Sequence, residues 1–208
     1  MNAAALQHLA ERDPVMGRLI AEVGECLFKP EIRRPPFQSL VHAVAHQQLH
    51  GKAANTILGR FRKLFPGRRF PRAVDLAEVT DEQLRACGFS FAKIRAIRDI
   101  AEKTIAGVVP ASRHFAKYSD EEIVARLTEV RGVGRWTVEM LLIFQLGRPD
   151  VLPVDDFGVR AGFRAAYKKS AMPTPRELRE FGERWRPHRT TAAWYLWRRA
   201  DAAKKRLE

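Results

Sequence analysis

Only two cysteines, Cys26 and Cys87, stand in the 208 residues. A disulfide framework is therefore not expected, and a four-cysteine zinc or iron–sulfur centre is excluded within one chain. No run of about 18 uninterrupted apolar residues occurs, which argues against a membrane span. The start, Met1-Asn-Ala-Ala-Ala-Leu-Gln-His, lacks the basic opening and long apolar stretch of a secretory signal. These absences point to a reducing, cytoplasmic setting. Strand signals are scarce, with no sustained period-two runs and no Asn-Gly or Asp-Gly hairpin turns. A Gly-x-x-x-x-Gly-Lys loop and a dinucleotide fingerprint are missing too, so no nucleotide or redox cofactor is expected. No repeat of fixed period is visible.

Positive charge is what the chain has in excess. Lys and Arg total 37 against 24 Asp and Glu, a formal charge of +13, with a sequence pI near 10.4. An excess of this size favours a polyanionic partner, because each phosphate contacted releases condensed counterions.

Helical periodicity dominates. Phe37, Leu40, Val41, Val44 and Ala45 form one apolar stripe. Thr80-Asp-Glu-Gln83 and Ser119-Asp-Glu-Glu122 have capping-box form. The first predicts a short helix ending at Gly88, the second a helix burying Ile123, Leu127 and Val130. Ser90 caps a helix whose inner face carries Ile94, Ile97, Ala101 and Ile105. A helix is predicted from about Gly134 through Leu141, Leu142 and Phe144 to Gly147. Thr174-Pro-Arg-Glu177 caps another, with Pro175 in its first turn, and a last helix carries Trp194, Leu196 and Trp197. The expected fold is all-α. Breaks at 29–36 and 147–153 separate a central lobe, 36–150, from a second lobe built of 1–35 plus 151–208, with a cleft between them.

Chemistry concentrates in two neighbouring segments. Leu127-Thr-Glu-Val-Arg-Gly-Val-Gly-Arg-Trp-Thr-Val-Glu-Met140 reads as helix, Gly-Val-Gly hairpin, helix. Gly132 and Gly134 permit a tight, partly left-handed turn, and the amides that open the next helix suit a phosphate. An ordinary helix–turn–helix connection with a glycine cap is the plainer reading. Leu152-Pro-Val-Asp-Asp-Phe-Gly158 then places two carboxylates after a proline-containing loop. Either Asp155 or Asp156 would serve as the N-cap of a helix starting near Phe157.

Together with Val44-Ala-His-Gln-Gln-Leu-His-Gly-Lys-Ala-Ala54, Gly88-Phe-Ser-Phe-Ala-Lys93 and the segment from Glu183 to Trp197, these motifs resemble the helix-hairpin-helix DNA glycosylase superfamily. The resemblance is to its alkylbase (3-methyladenine) glycosylase II branch, without the N-terminal β-rich domain some members carry, and it covers the chain from about residue 15. It implies two helical lobes flanking a DNA-binding cleft, with the hairpin motif over 127–146. It implies hydrolysis of the N-glycosidic bond of alkylated purines in double-stranded DNA, by a monomer that flips the base out and needs no cofactor. The catalytic carboxylate falls on Asp156; alignment with the endonuclease III branch would move it to Asp155. The base pocket would hold Trp136, Trp197, Gln47 and Met140, the last where some relatives have tyrosine. Packing inside the protein is the competing role for the tryptophans, most of all Trp185 and Trp194.

DNA contacts would come from Gln48 or Leu49 as the wedge, from His50, and from Gly132, Gly134, Arg135 and Thr137 around a phosphate. A structural Na+ or K+ is implied on the backbone carbonyls of Thr128, Val130 and Val133. Strand-nicking relatives carry lysine where this chain has Trp136, which implies a monofunctional enzyme. The competing expectations are a glycosylase for other damaged or mismatched bases, and a non-enzymatic helix-hairpin-helix module that only binds DNA.

Overall fold

Side-chain oxygens cap five helices of this chain where the sequence spacing places them, at Thr80, Ser90, Ser119, Asp156 and Thr174. In the computed structural model, which describes residues 3–32, 34–49 and 51–205, the regular structure is helical, and no strand occurs among the described residues. The helices are α1 (Ala3–Arg12), α2 (Pro14–Val23), α3 (Pro36–His46), α4 (Gly51–Lys63), α5 (Asp81–Cys87), α6 (Phe91–Ile105), α7 (Asp120–Thr128), α8 (Arg135–Phe144), α9 (Phe157–Ala166), α10 (Pro175–Gly182) and α11 (Arg189–Lys205). Reciprocal capping boxes open α5 at Thr80, α7 at Ser119 and α10 at Thr174, and Ser90 caps α6. Each cap satisfies amides that have no partner inside the helix. Gly88 ends α5 in the left-handed region at φ 109°, the glycine stop expected from its position. Among the described residues, no helix is long and apolar enough to cross a membrane.

The chain divides into two units, 33–141 and 1–32 with 142–208. The second boundary lies inside α8, not in the loop 147–153 where sequence breaks place it. The last residues of α8 belong with the terminal segments for a plain reason. Phe144 packs edge-on against Phe28 at 5.4 Å and stacks on Trp197 at 5.6 Å, and its carbonyl accepts the Glu31 amide at 2.7 Å. The helix also stops short of the expected Gly147. The Arg148 amide folds back to the Leu142 carbonyl, and Gly147 turns the chain at φ 64°.

Unit 33–141 is built around α3 and α6, which pack on each other, with α4 and α5 alongside. The α3 stripe is buried as its spacing requires, and so are Ile94, Ile97 and Ala101 of α6. Ile105 is a correction: it is 61% exposed, and Ala96 and Ile100 take the buried positions instead. The apolar period of α6 runs out before the last turn. Phe61 sits at the centre of an aromatic cluster, edge-on to Phe65, Phe70 and Phe89 at 5.4–5.7 Å.

In the other unit the Asp13 carboxylate is buried and accepts four hydrogen bonds. The Val15 and Met16 amides cap α2 through it, and the Tyr167 hydroxyl (2.6 Å) and Trp185 indole N–H (2.9 Å) reach it from elsewhere in the chain. A buried carboxylate is tolerable only when its lone pairs are occupied in this way. Burial and the adjoining Asp13 push the Tyr167 phenol above its ordinary pKa, so it stays a donor. Trp185 is fully buried, which assigns it to the core.

The tightest packing here joins α9 to α11. Gly158 and Gly162 lie one turn apart on α9. A Cβ added at Gly162 would collide with the Leu196 carbonyl, and one at Gly158 would come within 2.8 Å of the Trp197 ring. Since backbone cannot move aside as a side-chain tip can, Gly162→Ala is expected to destabilise this unit by about 3 kcal/mol or more. Urea unfolding followed by tryptophan fluorescence would show it; a midpoint equal to wild type would contradict the close approach.

Candidate functional site

Asp156 is the N-cap of α9. Its backbone is extended (φ −69°, ψ 123°), and its Oδ1 accepts the Val159 amide at 2.8 Å. Capping alone is the ordinary use of such an aspartate. Here the same Oδ1 also accepts the Trp197 indole N–H at 2.8 Å. Two N–H groups from two helices therefore fix the carboxylate's rotation. Asp155 is exposed, in the turn just before.

The loop that delivers Asp156 is clasped from α11. Thr190, buried, donates its hydroxyl to the Arg148 carbonyl at 2.7 Å and accepts the Val151 amide at 3.0 Å, while its own amide reaches the Pro149 carbonyl. Arg189 forks onto the Asp150 carboxylate at 2.8 and 3.0 Å and also reaches the Asp150 carbonyl; Arg186 adds a third contact at 2.8 Å. A bidentate arginine pair fixes geometry as well as charge. The Glu183–Trp197 segment is thus chiefly a brace for residues 148–151, with Trp197 at its far end touching the carboxylate.

Trp197 is half-buried, with Phe144 stacked on it at 26° between ring planes and Phe28 edge-on beyond. Phe28 and Phe144 could not be placed here from local sequence pattern, since they lie far from Trp197 in the chain. Phe157, directly after Asp156, is exposed. Trp194 is half-buried with the Arg198 guanidinium over its ring.

The hairpin lies in the other unit. Gly132 has φ 75°, and a Cβ there would meet the Ala96 side chain at 3.2 Å. Gly134 is different: its φ is not left-handed, it is exposed, and a Cβ there would meet nothing within 4 Å. The turn itself requires glycine only at Gly132, whereas Gly134 leaves open backbone at the entrance to α8. The Arg131 amide donates to Asp99 Oδ2 at 2.7 Å, and Gln47 Nε2 donates to the Gly132 carbonyl at 2.9 Å. Gln47, expected in the base pocket, therefore ties the end of α3 to the hairpin.

Two residues expected at the phosphate sit differently. Arg135 makes a bidentate pair with Glu121 at 2.7 and 3.1 Å. Thr137, in the first turn of α8, is 5% exposed, so its side chain lies largely inside the protein. Trp136 is 44% exposed, which decides against core packing, and Met140 is half-buried. Of the carbonyls implied for a cation, that of Val130 already accepts the Val133 amide at 3.0 Å. Neutral carbonyl oxygens are nevertheless donors of the hard class that suits Na+ or K+.

Beyond α3, Gln48 takes a left-handed backbone (φ 55°) without being glycine, and Leu49 is 40% exposed. His50 lies outside the described residues. Lys93 Nζ holds the Ala45 and Gln47 carbonyls at 2.9 and 2.8 Å.

Comparison with known proteins places these features in context. Residues 41–187 match the model of the HhH-GPD superfamily base excision DNA repair proteins. DNA-3-methyladenine glycosylase 1 of Schizosaccharomyces pombe is 42% identical over 199 residues, covering 94% of this chain and 86% of that protein. The structure of the S. pombe 3-methyladenine DNA glycosylase in complex with abasic DNA superposes with a TM-score of 0.83 over 94% of this chain and 95% of the other. A DNA-3-methyladenine glycosidase from Bacillus halodurans, 32% identical, superposes with a TM-score of 0.88 over 98% of this chain and 92% of its own.

The two hairpin glycines should separate on substitution. Gly134→Ala should leave thermal stability unchanged and weaken binding to a DNA duplex, as a methyl group meets the incoming phosphate. Gly132→Ala should cost about 1 kcal/mol or more of stability, since alanine resists positive φ. Equal duplex affinity for Gly134→Ala and wild type, measured by fluorescence anisotropy, would remove the phosphate from this position.

Proposed function

The chain belongs to the HhH-GPD superfamily of base excision DNA repair proteins, and from that premise we propose that it is a monofunctional DNA glycosylase for alkylated purines such as 3-methyladenine and 7-methylguanine. It acts as a cytoplasmic monomer on double-stranded DNA and leaves an abasic site. The observation that carries the reading is the Asp156 carboxylate, held by the Val159 amide and the Trp197 indole N–H at 2.8 Å each.

As the bond between C1′ and the purine nitrogen breaks, positive charge develops on the sugar. A carboxylate close to C1′ stabilises that charge, and it can accept the proton of the water whose oxygen bonds to C1′. The electron pair of the broken bond leaves with the base. A base alkylated at N3 or N7 already carries positive charge, so it departs as a neutral molecule without a strong general acid. Selection then rests on recognising an electron-poor ring, and the faces of Trp197 and Trp136 attract such rings. No lysine occupies the position of Trp136, so no amine is available there for a Schiff base.

The target base must leave the stack to be reached. Gln48 and Leu49, exposed at the end of α3, fill the gap it leaves. The open backbone at Gly134 receives a phosphate beside the lesion, with Gly132 shaping the turn. Thr128, Val130 and Val133 would hold Na+ or K+ through their carbonyls, and that ion would stiffen the hairpin without entering the reaction.

Incubation with a methylated duplex, with products resolved by chromatography, tests the reading directly. Wild type should release free 3-methyladenine or 7-methylguanine, and borohydride should trap no covalent enzyme–DNA adduct. Asp156→Asn should slow release by about 10²–10³-fold, with Asp155→Asn close to wild type. An active Asp156→Asn enzyme would move the carboxylate role elsewhere. Binding without release across a panel of lesions would identify a passive DNA anchor.

A further inference from the structure

Lys93, Ala96 and Asp99 recur at intervals of three along α6, and all three support segments assigned above to DNA. The Lys93 ammonium donates to the carbonyls of Ala45 and Gln47, at the end of α3. These are acceptors that a helix end leaves without partners, and a cation there also suits the negative end of the helix dipole. Burial lowers the pKa of this amine from the ordinary lysine value. Ala96 lies against Gly132, close enough that a Cβ on the glycine would stand 3.2 Å away. Asp99 Oδ2 accepts the Arg131 amide at 2.7 Å. Gln47 then joins the two supported segments, its Nε2 donating to the Gly132 carbonyl at 2.9 Å.

Between these ties stand Gln48 and Leu49. Gln48 keeps φ 55° without being glycine, a conformation that persists only where the surroundings over-determine it. Leu49 follows it into solvent. An inserted side chain separates stacked bases only if its backbone does not yield, so the support behind it matters as much as the side chain itself.

We propose that Lys93 is a positioning residue for base flipping, which holds the Gln48–Leu49 tip through the Ala45 and Gln47 carbonyls so that α6 presents wedge and hairpin as one preorganised element. The inference rests on the reading of Gln48 and Leu49 as the wedge. It gives a half-buried lysine, remote in sequence from Asp156, a part in the reaction without contact to the substrate.

Lys93→Met keeps most of the stem and removes the donor. Its test compares full-length wild type, Lys93→Met, Leu49→Ala and Gln48→Ala in four measurements. These are single-turnover base release, the fluorescence rise of 2-aminopurine placed beside the lesion, affinity for an undamaged duplex, and melting temperature. Base release and the fluorescence rise should fall about tenfold or more in Lys93→Met, with duplex affinity and melting temperature kept. A merely structural lysine would lower duplex affinity and melting temperature together with release, and that result overturns the proposal. So does a Lys93→Met protein that flips and excises like wild type while Leu49→Ala is impaired; the wedge reading then survives alone. If both Leu49→Ala and Gln48→Ala flip normally, the wedge reading fails and the role of Lys93 with it. Should Lys93→Met not fold, Lys93→Leu, which also keeps an apolar stem and removes the donor, is held to the same outcomes.

Discussion

Two glycines on one face of α9 set the distance on which the carboxylate site depends. Without side chains at Gly158 and Gly162, α11 approaches until the Leu196 backbone and the Trp197 ring rest against α9. At that separation the Trp197 N–H reaches Asp156 Oδ1, already engaged in capping the same helix. A larger residue at either glycine would move the indole away from the carboxylate. The carboxylate would then keep its cap and lose its second orienting donor. Packing density and the orientation of this carboxylate are therefore one problem in this unit.

The remaining supports serve the same end from further out. Arg189, Arg186 and Thr190 brace residues 148–151 by charge-assisted and backbone hydrogen bonds, so the chain enters the turn before Asp156 on a defined course. Asp13 gathers Tyr167 and Trp185 beneath the other end of α9. Both devices place a charged group in a largely buried position and then occupy its hydrogen-bonding capacity. Such groups add little net stability against an apolar alternative, but they define one arrangement rather than several.

The hairpin unit solves a different problem, the presentation of backbone. Gly132 makes the turn, Ala96 and Asp99 fix it from below, and Gln47 links it to the end of α3. Arg135, which sequence position places at the phosphate, instead pairs with Glu121. A cation at a helix N-terminus opposes the helix dipole, and a carboxylate within hydrogen-bonding distance offsets this. Thr137 has no such freedom, because its helical phase turns it inward.

Local patterns were enough to establish the all-α class, the capping boxes at Thr80, Ser119 and Thr174, the stop at Gly88 and the apolar face of α3. Each rests on residues within one or two turns of one another, where spacing alone decides which atoms meet. The hairpin and the aspartate pair were legible for the same reason, and resemblance singled out Asp156. The limit of that legibility shows at Ile105, where a regular apolar spacing continues past the end of the packed face. Tertiary structure alone decided that Trp197 serves Asp156 and that Phe144 and Phe28 stand behind it. It also decided that Gln47 and Lys93 support the segment they border and that the unit boundary falls inside α8. Those outcomes depend on how closely two helices approach and on which side chain fills the space between them, and neither quantity is encoded in the spacing of any one segment.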